Sequence, residues 1–447
     1  MNKYQSYKSS SVEWVGVIPK SWEETRLKYV GNLYGGLTGK SGEDFKQEDN
    51  PNNKPYIPYT NIFRNTYISK NHVDYVVLCE GENQNKVQKF DLFFLMSSET
   101  YQDLGKPCIL IDDIEELYLN SFCKGFRVNR VDINPLFLNY QLLGSVHKEL
   151  ISIEGRGFTR INLRQDRLNE TPIFLPPINE QLQIVQFLDE KTELIDRLIS
   201  IKERKLSLIK EQKTSLVNQV VTKGLNSNLQ MKDSGVEWIG EIPMDWGFVK
   251  VGHFTNVVRG GSPRPSGDPK YFNGDFIHWI TVKEVTSKNG KYIVDTDTKL
   301  TEEGMKQSRV LEPETLVLSN SGATLGVPGI LKIKGCINDG VVSFLNISPL
   351  VNRDYLYYFF TTQTSILLEQ QSGYGQPNLN IDIVSNIRFP LPSISEQNQI
   401  VEYLDLKLIE INDLVKIEQK KIDLLKQYRQ SLISEVVTGK IKVTTDE

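Results

Sequence analysis

Two stretches of the chain place apolar residues at three- and four-residue steps over about forty residues each. In the first, Ile184, Leu188, Ile195, Leu198, Ile201, Leu208, Leu216 and Val220 form one helical stripe; in the second, Ile400, Leu404, Ile411, Leu414, Ile417, Leu424, Leu432 and Val436 repeat it. Prolines stop just before each stretch. Asn179 with Glu180, and Ser395 with Glu396, offer N-cap chemistry and early negative charge. At ~1.5 Å per residue such a helix is a rod of ~60 Å, too long to bury its stripe on one small domain. The pattern therefore predicts two long helices paired as an antiparallel coiled coil. Lysines interrupt the stripe at matching places, Lys191 with Lys407 and Lys205 with Lys421. They either lie at the rim with their stems along apolar surface or fix register and partner choice.

The remaining pattern is different. Short β-rich runs such as DYVVLC, DLFFLM, TLVLSN and VVSFLN alternate with helical stretches such as PLFLNYQLLGSVHKELI and RDYLYYFFTTQTSILLEQQ. These blocks read as mixed α/β domains, each large enough to hold its own core.

The chain is also written twice. SSVEWVGVIPKSW returns as SGVEWIGEIPMDW, so that Trp14, Gly16, Pro19 and Trp22 recur as Trp238, Gly240, Pro243 and Trp246. The helical stretches, Leu175 to Thr222 and Leu391 to Thr438, align without gaps with about 22 of 48 positions identical, far beyond chance. The expected organisation is residues 1–174 as a first α/β domain, 175–224 as a central helical spacer, 225–390 as a second α/β domain and 391–447 as a C-terminal helix that pairs with the central one. The duplication implies a pseudo-two-fold internal repeat.

Landmarks survive inside the divergent blocks. YGGLTGKSG stands where the second block has RGGSPRPSG, KPYIPYTNI matches GDFIHWITV, LGKPCIL matches LGVPGIL, and GFTRINLRQD matches GYGQPNLNID. The Gly-Lys-Ser at Gly39 to Ser41 is not a phosphate loop, because the required outer glycine is Tyr34 and the second copy has prolines there. What the copies share is a paired-glycine loop, with Gly35-Gly36 set against Gly260-Gly261, that carries hydroxyls and one cation. Gly36, Thr38, Lys40 and Ser41 in the first, and Gly261, Ser262, Arg264 and Ser266 in the second, suit approach to a nucleic-acid backbone or base edge. Tyr59, Thr60, Asn61 and Arg64, and in the second block Trp279, Thr281 and Lys283, offer the donors that base reading requires. Arg156, Thr159, Arg160 and Asn162 belong to a local basic cluster completed by Arg164 and Arg167, and Gln376 and Asn378 hold the matching place in the second copy. A plain surface turn remains the alternative for the glycine loops.

Charge and composition limit the other possibilities. Fifty-two Lys and Arg against 56 Asp and Glu leave a net charge of −4, so any basic groove must be local. The four cysteines, Cys79, Cys108, Cys123 and Cys336, form no C-x-x-C pair and read as thiols of a reducing compartment. The four histidines, His72, His147, His253 and His278, are dispersed and suggest no metal site. No uncharged apolar run reaches membrane-spanning length, and a soluble, cytoplasmic protein is expected. No G-x-S-x-G elbow, H-E-x-x-H helix, kinase set or dinucleotide fingerprint occurs, which makes an enzyme the weaker reading.

Two variable α/β blocks separated by near-identical helices, each announced by LPPINEQLQIVQFLD or LPSISEQNQIVEYLD, resemble the specificity subunit of type I restriction-modification systems, as does GVEWIGEIPMDW. The resemblance covers nearly the whole chain. It implies a non-catalytic subunit with two target recognition domains, each reading half of a bipartite site in double-stranded DNA, and helices that set the spacer and dock partners. It implies two modification (methyltransferase) subunits and restriction subunits as those partners. No cofactor is expected on this chain, with S-adenosylmethionine, ATP and Mg2+ on the partner subunits. The alternative from another class is a helical scaffold that joins two proteins without DNA. Individual base contacts do not transfer across this family, because its recognition blocks vary.

Overall fold

The computed structural model describes residues 3–45, 47, 49–226, 228–287, 290–322, 324–370 and 379–443. It divides into two compact units, Met1–Glu203 with Lys420–Glu447, and Arg204–Gln419. Each unit owns one α/β block and half of each long helix. The central helix, Ile178–Lys223, and the C-terminal helix, Ile394–Val437, are thus shared lengthwise rather than standing apart from the blocks.

The first unit is built on five strands: β1 (Gly31–Gly35), β2 (Tyr67–Ile68), β3 (Leu92–Leu95), β4 (Pro107–Leu110) and β5 (Cys123–Val128). Their order is β1-β5-β3-β4-β2, antiparallel throughout except where β4 runs parallel to β2. In the second unit, β6 (Asn256–Arg259), β7 (Tyr292–Ile293), β8 (Leu316–Ser319), β9 (Pro328–Leu331) and β10 (Val341–Leu345) take the order β6-β10-β8-β9-β7 with the same senses. The central strands β3 and β8 are buried along their whole length, which is why LFFL and LVLS read as unbroken apolar runs. The helical stretch PLFLNYQLLGSVHKELI forms two helices, Pro135–Leu143 and Ser145–Ser152. The chain is extended at Gly144, where a Cβ would press on Gln141 O at 3.0 Å and Val437 at 3.2 Å.

The motifs that recur in sequence meet at the head of each long helix. Trp22 and Trp246, both buried, donate their indole N–H to Glu180 at 3.2 Å and Glu396 at 3.0 Å. The next residue is a buried amide. Gln181 accepts from Asn134 N at 2.8 Å and donates to Asp132 O and Pro176 O; Gln397 accepts from Asn352 N at 2.7 Å and donates to Leu350 O and Pro392 O. About two turns further on, Tyr140 donates to Asp189 at 2.6 Å and Tyr358 to Asp405. Ser393, not Ser395, accepts the capping bond from Glu396 N, and Asn179 and Ser395 sit inside the first turn.

The helical stripe follows its expected course at the ends and departs from it in the middle. Ile184, Leu188, Ile195 and Val220 are buried, as are Ile400, Leu404, Leu432 and Val436. Leu198, Ile201, Leu208, Leu414, Ile417 and Leu424 are exposed. The buried positions there are Thr192, Ile195, Ile199, Leu206 and Ile209, a strict heptad spacing that leaves a second apolar face uncovered. Within the first unit the two helices run antiparallel, with Arg429 on Asp196 at 3.0 Å and Lys426 on Glu203 at 3.1 Å. Within the second, Lys205 pairs with the buried Glu418 at 3.0 Å and Lys213 with Asn412 at 2.9 Å. Lys205 therefore reaches across to the facing helix.

Two stability effects follow. Replacing Gln397 with Leu leaves one backbone N–H and two carbonyls unpaired in a buried place, and should cost roughly 2–4 kcal/mol in urea unfolding with the exposed faces unchanged. His147 is wholly buried against Phe174, with its Nε2 on Pro172 O at 2.9 Å, and burial pushes its pKa down to about 4. Because the unfolded chain binds that proton near pH 6.5, stability is full above pH 6.5 and falls as pH drops toward 4, by roughly 3 kcal/mol. Unfolding measured from pH 7 to 4 should show that slope in the native protein and a shallower one in His147→Gln.

Candidate nucleic-acid interface

In the first unit, segments far apart in sequence converge on one face. Gly36 lies so close to the turn after the strand Tyr118–Leu119 that a Cβ would stand 2.0 Å from Asn120 O, and Leu37 N donates to Leu119 O at 2.7 Å. The same turn carries Phe122, whose N–H caps onto Asn120 Oδ1, and Arg160 lies over the Phe122 ring at 5.6 Å. Arg160 also borders a cleft of about 210 Å³ with Tyr59, Phe63, Ser98, Glu99, Thr100 and Asp103. Tyr59 opens the helix Tyr59–Arg64, stacks on Phe63 and donates to Ser97 O at 2.9 Å. Thr60 and Arg64 are exposed beside it. Arg156 and Asn162 close a hairpin that presents Thr159 and Arg160 to solvent.

Other candidates of this unit are occupied by the fold. Asn61 donates to His72 O at 2.9 Å. Thr38 is tied to Gln84, and Ser41 to Asp44 through both its N–H and hydroxyl. Lys40 is a correction of a different kind: its ammonium lies 2.7 Å from Glu82, with its side chain 7 % exposed. That contact and the Cys79 N–H pull the Glu82 carboxyl down to about 2. The Lys40 charge is spent inside the chain and is not displayed.

The second unit repeats the frame with other side chains. By its partners, Gly36 corresponds to Gly260, not Gly261: a Cβ at Gly260 would meet Asn338 O at 2.1 Å, while Gly261 N donates to Ile337 O as Leu37 does to Leu119 O. Ser262 donates to Asp339 at 2.6 Å, and Arg264, largely exposed, reaches the same carboxylate at 3.4 Å. Ser266 is exposed near it. Trp279 is corrected outright, since it is 6 % exposed and packs edge-on to Phe272 in a core with Ile277, Leu300 and Cys336. Thr281 is the N-cap of the helix Val282–Thr286, joined in a capping box to Glu284, and Lys283 is paired with Asp297 at 2.8 Å. Gln376 and Asn378 lie outside the described residues. Asn320 is fully buried with its amide unpartnered among the described residues, and its backbone O accepts from Leu379 N just as Met96 O accepts from Leu163 N.

Sequence reasoning missed Asn120, Phe122, Asn338 and Asp339. The signal for them was an asparagine directly after a buried strand in both copies, YLNSF and CINDG.

This arrangement, an α/β block with a polar and aromatic face built from its loops, held twice on shared helices, defines a DNA specificity module. A family model described as the type I restriction modification DNA specificity domain matches residues 19–211 and 243–427, and the chain belongs to that family, with two copies of the domain. Across 99 % of its length it is 25 % identical to the putative type I restriction enzyme MjaX specificity subunit of Methanocaldococcus jannaschii, covering 98 % of that protein. It is 22 % identical to the EcoKI specificity subunit of Escherichia coli K12 over 45 % of this chain and 44 % of that one. Among solved structures, one concerned with complex assembly and conformational transition of the type I R-M system aligns over 95 % of this chain and 99 % of that one, with a TM-score of 0.72 and 18 % identity. The HsdS subunit of Thermoanaerobacter tengcongensis aligns over 95 % and 98 %, with a TM-score of 0.53 and 18 % identity. At that identity the likeness is one of fold.

The two exposed guanidiniums and the sequestered ammonium separate in a binding experiment. Arg160→Ala and Arg264→Ala should each weaken retention of duplex DNA, lowering the salt slope by about one for a phosphate contact or costing ~1–3 kcal/mol of discrimination at one base pair for a base contact. Lys40→Ala should leave both quantities unchanged. Anisotropy titrations across salt concentrations, with wild-type and substituted complexes, distinguish these outcomes.

Proposed function

We propose that this chain is the DNA-recognition subunit of a type I restriction-modification complex, in which each unit reads one half of a bipartite target in double-stranded DNA. The observation that carries the reading is the repetition of a complete module: the same five-strand order, the same clamp at the helix head, and a loop face whose side chains differ between copies. Constant clamps with divergent faces suit two readers of two different sequences. The face has few uncompensated cations, so the partners must neutralise much of the phosphate charge.

Methylation and cleavage belong to partner subunits: two modification subunits that use S-adenosylmethionine, and restriction subunits that use ATP and Mg2+. The uncovered apolar face of the helices, with Leu198 and Ile201 on one and Ile417 and Leu424 on the other, supports their docking there. No described helix is long and apolar enough to cross a membrane.

The test is an exchange. Replacing residues 23–174 with the matching block of a relative should change one half of the methylated motif in cells and leave the other half intact. Single-molecule mapping of methylated adenines reads this directly; a change in both halves would overturn the modular reading.

A further inference from the structure

The hairpin of the first unit carries a side chain that packing does not use. Arg156 and Asn162 exchange both backbone hydrogen bonds, at 3.0 and 2.9 Å, and Arg156 Nη1 braces the turn on Ile153 O and Gly155 O. Gly157, at φ +138°, folds the chain back so closely that a Cβ would stand 2.0 Å from Arg160 O. The next residue, Phe158, is fully exposed. A phenyl ring held in water by a braced turn forgoes the burial that normally places it in a core.

Two further observations bear on this ring. The second copy keeps an aromatic at the same place, Tyr374 in GYGQPNL against Phe158 in GFTRINL, although the three residues that follow it have diverged. Tyr374 itself lies outside the described residues. The surroundings are cationic in the relevant sense: Arg64, Arg156 and Arg160 have no carboxylate at ion-pair distance among the described residues, whereas Arg164 and Arg167 are held by Asp166 and Glu154. Two acidic groups, Glu99 and Asp103, line the cleft that Arg160 borders, where Asp103 takes the Thr100 hydroxyl at 2.7 Å.

We propose that Phe158 is a stacking wedge: when the first unit engages duplex DNA, the ring enters the base stack at one step while the neighbouring guanidiniums hold flanking phosphates. The proposal rests on the DNA-recognition reading above. Every base offers a π-face, so the ring supplies affinity and local deformation, while sequence is read by the polar groups around it.

The experiment uses the complex with its modification subunits and duplexes containing the mapped target, each with one 2-aminopurine moved through the half-site read by the first unit. Unstacking brightens the probe. Wild type should brighten it at one step; Phe158→Ala should remove that signal and weaken binding about ten- to hundred-fold. Phe158→Trp should keep the signal, and its added indole emission should be quenched by DNA. Because the side chain touches no core, neither variant is expected to unfold. Tight binding with an unchanged probe signal in Phe158→Ala overturns the wedge alone, as does loss of the modification subunits from that variant, which would make Phe158 a protein contact. Failure of the wild-type complex to hold any duplex overturns the recognition reading instead.

Discussion

The Glu-Gln pair at the head of each long helix is the interaction on which the rest depends. Glu180 and Glu396 take the indole N–H of a buried tryptophan from the segment that leads into the α/β block. Gln181 and Gln397 take the chain just before the block's helix begins, satisfying three backbone groups with one side chain. Two adjacent residues thus fasten the entrance and a later stretch of a block to the same helical turn. A buried amide with all partners in place stabilises modestly, but one that loses them is costly, so neither residue can drift while the block is retained. This accounts for a sequence in which the helix heads are nearly identical and the blocks they hold are not.

The second ring of contacts has already begun to diverge. Tyr140 and Tyr358 both donate to the aspartate about three turns into the helix, yet the third partner differs. In the first unit it is the Tyr67 hydroxyl at 2.9 Å, and in the second it is the Lys291 ammonium at 2.9 Å, which also holds Asp354 at 2.5 Å. A neutral donor and a cation satisfy the same carboxylate. The helix constrains the aspartate; the block is free to choose how to meet it.

The long helices and the mixed sheets were legible in sequence because period and repetition report directly on burial. The stripe was misread only at its centre, where Leu198, Ile201 and Leu208 are apolar but exposed and Thr192 and Glu418 are polar but buried. Hydrophobic period marks an apolar face and cannot say which of its residues is covered within the chain. The candidate interface was legible in part for a related reason. Tyr59, Arg160 and Gly36 converge, but Trp279 is core, Thr281 a cap and Lys40 a partner of Glu82. A residue type good at reading DNA is equally good at filling a core or ending a helix, and only the fold decides between those uses. Phe158 was passed over because its segment was read by its arginines, and only the structure shows the ring fully exposed.

The charge of the chain follows from the same economy. Several cations near the recognition faces are matched by carboxylates of the same unit, as with Lys283 and Asp297, Arg164 and Asp166, and Lys40 and Glu82. The Lys283–Asp297 and Arg164–Asp166 pairs are exposed and add little stability, while Lys40 is sequestered against Glu82. Their larger effect is to keep attraction for arbitrary DNA low, because a groove lined by unmatched cations would bind any duplex through released counterions. On the face of the first unit, Arg64, Arg156 and Arg160 have no carboxylate at ion-pair distance among the described residues, and they lie on the helix and hairpin beside the cleft. A reader built this way holds DNA weakly until the right base edges and a stackable step are in place, so discrimination comes from the few contacts that depend on sequence and on the deformability of the duplex.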